Sequence, residues 1–203
     1  ISACLVGSEM CIETAIIALL IAVLLPALRR ARDVANRAVC ASNLRQLGIV
    51  FLTYHQEYKG HLPCAGNDPG CGNRAWVAWY LPDHYTGSLI GPYLSKAIAS
   101  KILLCPSDDP KQRRRLTYLM AYPWSYSVND EIFLHWSRYN MKPPHMTIQR
   151  PSLKILAIEE SADVIDKGCF YVAEVRLYKK DLLSNRHSRA RANVLFADAH
   201  CDF

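Results

Sequence analysis

Fourteen consecutive residues, Ala15 to Leu28 (AIIALLIAVLLPAL), carry no polar side chain. They pass without a break into RRARDVANRAVCASNLRQLGIVFLTYHQEY, which is first basic and then amphipathic. A helix of this kind is apolar on every side at one end and along a single stripe at the other. No soluble core needs such an end, and water does not tolerate it exposed. The first half therefore predicts burial in lipid or among other copies of itself, and the second predicts a partner along one face.

That face can be named. Cys40, Leu44, Leu47, Phe51, Tyr54 and Tyr58 recur at spacings of three and four residues, which places them on one side of a helix. Lys59-Gly60 and then Leu62-Pro63 supply stop signals, so the helix is expected to end near Tyr58. Pro26, the only breaker between Ala15 and Leu47, removes one hydrogen bond and kinks the axis, which lipid tolerates. At ~1.5 Å per residue, about 44 residues give a rod of roughly 65 Å, more than twice a bilayer's hydrocarbon thickness. Its outer half must lie against something else.

IIALLIAVLLPALRRAR, CASNLRQLG, the Tyr-rich helix end and HLP together resemble the N-terminal helix of type IV pilin-like proteins. The match is to the type II secretion pseudopilin-like group that carries a prepilin-type cleavage and methylation signal. Further along, CPSDDP resembles that group's Cys-Pro-Ser-Asp motif, SYSVN its Ser-Tyr-x-x-Asn segment and PSLKILAIEES its Pro-Ser-x-x-Ile-Leu strand. NRHSRARANVLFADAHCDF resembles its closing His-x9-Asp-Gly motif, although ten residues separate His187 from Asp198 and Ala199 replaces the glycine. The opening ISACLVGSEMCIET departs from the family's Gly-Phe-Thr-Leu-Ile-Glu, and residues 1–14 are read as a non-native or altered leader, the placement of Glu9 being a coincidence.

The resemblance implies an α+β fold in which one long helix packs across a small antiparallel sheet of about four strands. It divides the chain into the altered leader 1–14, a helix 15–58 with its transmembrane half at 15–28, and a globular head 59–203. Ile16, Leu20, Leu24, Pro26 and Leu28 become the assembly helix, and Cys105, Pro106, Ser107, Asp108, His187, Asn193, Asp198 and His200 the motif residues of the head. The implied function is a structural subunit, not an enzyme. It would be anchored in the inner membrane by a single span, with the head in the periplasm or at the cell surface. Its implied partners are membrane lipid, other copies or other pilin-like subunits, and a prepilin peptidase where a native leader exists. Some relatives bind calcium in a C-terminal loop, which makes Asp198 a candidate ligand.

The 203 residues leave about 145 beyond the rod, enough for one compact domain. The net charge of +6 gathers at Arg29, Arg30 and Arg32, at Lys111 to Arg115 and at Arg186 to Arg191, a mildly basic surface rather than a nucleic-acid groove. The first cluster follows the apolar run, where it suits lipid headgroups. Taken alone, the positive-inside rule would place the head in the cytoplasm; the resemblance places it outside, with orientation set by a basic leader. Of eight cysteines, Cys64 and Cys71 in a Gly-, Asn- and Pro-rich loop are the first pair to test for a disulfide. Neither CxxC pairs nor the His spacings of a zinc module are present, so no zinc site is expected.

Within the head, Trp76, Trp79, Tyr80, Tyr85 and Tyr93 are read as core between the rod and a sheet; the alternative is a platform for polysaccharide or another partner. Ile102 to Cys105 reads as a short buried strand, with Ser107 and Asp108 fixing the turn after it. A nucleophilic Cys105 would need a base, and none lies nearby in sequence. Lys111 to Arg115 reads as a solvated basic loop, with DNA binding as the alternative. Glu159 and Glu160, adjacent on a strand, should point to opposite faces and cannot act as a close acid/base pair. Val194 to Ala197 reads as a strand before a type I′ hairpin, strained by Ala199 at positive φ by ~1 kcal/mol unless the turn differs. His187, Asp198 and His200 have the residue types of an anchored metal-dependent enzyme. The competing reading has His187 hydrogen-bonding Asp198 to close the hairpin.

Overall fold

The computed structural model describes residues 3–65, 75–77, 88–112, 122–133, 148–165, 168–170, 182–187 and 191–203, with side chains from residue 12 onward. One helix, α1 (Ala3–Glu57), runs through Pro26 and the whole apolar segment. It stops where the sequence predicts. Lys59 (φ 53°) and Gly60 (φ 86°) take left-handed backbone, and Gly60 N–H donates back to His55 O at 2.8 Å, satisfying a carbonyl that the helix end would otherwise leave open.

The head follows with α2 (Lys96–Ile102), β1 (Tyr126–Asn129), α3 (Asp130–Phe133), β2 (Ile155–Glu159), β3 (Cys169–Phe170), β4 (Val194–Phe196) and β5 (Cys201–Asp202). Among the described residues the strands form one five-stranded sheet in the order β3-β1-β2-β4-β5. The architecture is α+β as expected. The sheet is mixed, however: β1 pairs with β3 in parallel, while β1/β2, β2/β4 and β4/β5 are antiparallel. The predicted strands around Ser127, Ile158 and Leu195 form as β1, β2 and β4.

The stretch Ile102 to Cys105 is buried but is not a strand. Ile102 closes α2, which Ser95 caps by accepting from Ile98 N–H, and Leu103 sits at its C-terminal end. A four-residue apolar run does not distinguish a strand from a helix end; Ala99, Ile102 and Leu103 are the inward face of a short amphipathic helix.

The predicted stripe of α1 is the spine of the core. Cys40, Leu44, Leu47 and Phe51 are fully buried, and Phe51 meets the rings of Trp76 and Phe133 edge-on at 5.8 and 4.9 Å. Full burial of Leu44, Leu47 or Phe51 stabilises the head by about 1.5–3 kcal/mol each. Tyr58 departs from the stripe: it lies past the helix end, half exposed, stacked on Tyr54 at 4.1 Å between ring centroids. Trp76 is core, as predicted, and donates to Gly168 O at 2.9 Å. Trp79, Tyr80 and Tyr85 lie outside the described residues, as do Cys71 and Arg113 to Arg115.

Gly48 lets the C-terminal hairpin touch α1. A Cβ there would lie 3.0 Å from both Ala199 Cβ and Leu195 Cδ1, tighter than side chains normally pack. The hairpin is not type I′, because among its turn residues only Ala199 has positive φ, at 66°. Ala199 N–H bonds Phe196 O at 2.9 Å and Phe196 N–H bonds His200 O at 2.9 Å, giving a three-residue loop with a left-handed last position. Of the two expected alternatives the turn differs, and Ala199 still takes left-handed backbone in it.

Candidate functional site

Two features of the molecule are unlike ordinary head packing. The first is the start of α1. Ile16, Leu20, Leu24 and Leu28, at intervals of one turn, are all exposed, and so are Leu19 and Val23 on the other sides, at 66% and 68%. This stretch is long and apolar enough to cross a membrane, and none of it is buried against the head. Arg29, Arg30 and Arg32 follow it directly, also exposed. A helix apolar all round suits lipid or a bundle of like helices, because no single face is reserved for one partner.

The second feature is a buried polar cluster under the helix. The turn after α2 delivers Cys105, which forms a disulfide with Cys40 of α1 across a Cα–Cα distance of 5.2 Å. Closing a loop of 65 residues, this link stabilises the fold by about 4 kcal/mol in the chain-entropy view. Beside it His187 places Nε2 3.6 Å from Cys105 Sγ and 3.2 Å from Glu159 Oε2. Both side chains are fully buried. Asn193 holds the carboxylate, donating its backbone N–H to Oε2 at 2.9 Å and its Nδ2 to Oε1 at 3.0 Å. The same Nδ2 also reaches Arg37 O of α1 at 3.3 Å. The other imidazole nitrogen, Nδ1, makes no hydrogen bond among the described residues and faces Asp33 Oδ1 at 4.0 Å.

The Cys-Pro-Ser-Asp turn is clamped from both sides. Asp108 N–H bonds Cys105 O at 2.9 Å, the turn that the sequence predicts. Its side chains reach further than a local turn requires. Ser107 Oγ accepts from Asn36 of α1 at 3.2 Å, while Asp108 accepts from Ser125 Oγ at 2.6 Å and pairs with Arg186 at 3.4 Å. Asn43 adds a donor from α1 to Leu104 O at 3.1 Å. Pro106 sits exposed at the corner of this turn.

Cys40, Cys105, Glu159 and His187 bring one potential ligand atom each within 4.8 Å of one another, all buried. The lack of local CxxC or paired-His spacing did not reveal this grouping, because the four residues come from four separate segments. Along β2, Ala157 and Glu159 share a face, but residues on both faces are buried, so alternation alone did not single out Glu159. As predicted, Glu160 points the other way, and Ser127 Oγ donates to it. Cys105 also has a base beside it after all, although its sulfur is tied to Cys40.

The reading that paired His187 with Asp198 is corrected. His187 belongs to the buried cluster, while Asp198 is bonded by the side chain of His200 at the exposed hairpin and also accepts its backbone N–H at 3.1 Å. Partial desolvation would raise the Asp198 pKa, but the His200 hydrogen bonds and charge outweigh it, holding the carboxyl below its ordinary value. His200 stacks on Phe196 at 4.3 Å. The hairpin is anchored to α1 from its tail as well, since the Arg37 guanidinium lies 4.2 Å above the Phe203 ring. Burial raises the Tyr126 phenol, with the negative charge of Glu159 acting in the same direction.

Cys64 is disulfide-bonded; the expected pairing with Cys71 falls on a residue outside the described ones, and Cys201 is a free thiol. Comparison of the chain with protein-family models, with curated proteins and with solved structures finds no match.

Proposed function

We propose that this chain is a pilin-like or pseudopilin structural subunit, anchored in the inner membrane by the first half of α1 and assembled through it. The head would face out of the cytoplasm, as part of a type II secretion or type IV pilus-like machine. One observation carries the reading: a single continuous helix is apolar and exposed on all sides over residues 15–28, yet its later turns form the buried spine of the head. A membrane anchor alone needs only the first property. Continuity with the head's own core makes the helix a stiff handle, so that packing of neighbouring helices would fix the relative positions of heads. The small mixed sheet laid across the helix is compatible with a pilin-like fold.

Photo-crosslinking from single positions of the full chain in native membranes tests the proposal. A photoreactive residue at position 20 or 24 should give protein dimers and higher ladders, and one at the exposed head position 153 should not. Lipid adducts and monomers alone from positions 20 and 24 would refute assembly through this helix.

A further inference from the structure

We propose that the dithiol form of the cluster Cys40, Cys105, His187 and Glu159 is a binding site for one divalent transition metal of the zinc type. The donor set is two thiolates, one imidazole and one carboxylate, all types that zinc accepts. The disulfide explains why the two sulfurs are together. It does not explain why a fully buried imidazole and a fully buried carboxylate converge on them, since a disulfide is neutral and a poor hydrogen-bond partner for either.

The distances identify the geometry. For metal bonds of about 2.3 Å to sulfur and about 2.05 Å to nitrogen or oxygen, a tetrahedron has S···N edges of about 3.5 Å and N···O edges of about 3.3 Å. The structure already has His187 Nε2 at 3.6 Å from Cys105 Sγ and at 3.2 and 3.3 Å from the two Glu159 oxygens. The sulfur–sulfur edge must lengthen to about 3.8 Å, and all four ligand atoms already lie within 4.8 Å of one another. The surrounding groups are those that orient ligands. Asn193 holds Glu159 with two hydrogen bonds, and Asp33 stands 4.0 Å behind His187 Nδ1, the side away from the sulfurs.

Conversion between the two forms balances simply. A dithiol reductant supplies two electrons and two protons to the Cys40–Cys105 bond, leaving as its own disulfide, and the two thiols formed release their protons to water as the metal binds. The site would then link α1 to the sheet through a metal where the oxidised chain uses a sulfur–sulfur bond. This inference stands apart from the assembly role proposed above, and its test reads no filament.

The full chain in detergent micelles, reduced with a dithiol and stripped with a chelator, is titrated with cobalt(II). The expected result is one cobalt per chain, with thiolate charge-transfer absorption and the intense visible bands of tetrahedral coordination, displaced by zinc and absent from the oxidised chain. His187→Asn and Glu159→Gln should each weaken binding by about 100-fold or more. Cys64→Ser, outside the cluster, should leave it unchanged. X-ray absorption of the zinc-loaded wild type reads the ligands without any variant and should show two sulfur and two nitrogen or oxygen neighbours. No tetrahedral bands in the reduced wild type, a four-sulfur shell, or loss of the metal in Cys64→Ser would overturn the proposal.

Discussion

Leu20 and Leu24 stand near the middle of the exposed apolar stretch, 56% and 63% accessible, and they offer the sharpest perturbation of this protein. Between Ile12 and Leu28 there are ten Leu, Ile and Val side chains. At about −0.3 to −0.6 kcal/mol each on an insertion scale, they favour the bilayer by roughly 3–6 kcal/mol. An aspartate near the centre costs about 2.5–3.5 kcal/mol, and the leucine it replaces takes its own contribution away. Leu20→Asp alone should therefore leave insertion partial, whereas Leu20→Asp with Leu24→Asp shifts the balance by about 6–8 kcal/mol and should abolish it. The head should not respond, because neither side chain touches it; its thermal unfolding in mild detergent should stay within about 0.5 kcal/mol of the parent. Alkaline extraction and vesicle flotation read the first quantity and circular dichroism the second. A double variant that remains in the bilayer would refute the membrane assignment. A head that melts well below the parent would show that this stretch packs into its own domain.

Other substitutions address the head. Asn193→Ala removes a hydrogen bond to a buried carboxylate and one to Arg37 O, and should cost about 2–3 kcal/mol in urea unfolding; a loss under 1 kcal/mol would mean that Glu159 is held by other groups. Ala199→Gly relieves left-handed backbone worth about 1–2 kcal/mol but loosens the unfolded chain by about 0.5–1 kcal/mol, so it should be neutral to stabilising by about 1 kcal/mol. A clear destabilisation would contradict the turn geometry. Burial pushes the Cys201 thiol up to about 11, with Arg45 lowering it slightly and Glu159 raising it. At pH 8 only about one part in a thousand is thiolate, so alkylation of native Cys201 should be far slower than in urea; equal rates by mass spectrometry would refute the raised pKa of this half-buried thiol. The depressed carboxyl of Asp198 contributes hairpin stability that is present above its ordinary pKa of 3.8 and is lost as pH falls through the lower folded value. Asp198→Asn should remove that acid-side dependence, which unfolding followed from pH 5 downward would show.

What the amino-acid order alone decided is the part built from local periodicity. The repeat Cys40, Leu44, Leu47, Phe51 specifies one inward stripe because a helix returns to the same face every three to four residues. The polar-free run before it has no face to hide, and the Lys59-Gly60 pair ends the rod because glycine accepts left-handed backbone freely. The cores of β1, β2 and β4 were legible for the same reason, as short apolar or β-branched runs between breakers. Packing decided the rest. The run from Ile102 to Cys105 could have been strand or helix end until Ala99 and Ile102 turned inward together. Nothing local foretold that β3 would pair in parallel with β1. Cys40 and Cys105 are 65 residues apart and Glu159 and His187 28 apart, so their convergence depends on how the turn after α2, the end of β2 and the segment before β4 are all drawn under one helix. A side chain's chemistry is written in its own letter, but its neighbours are chosen by the burial of everything around it.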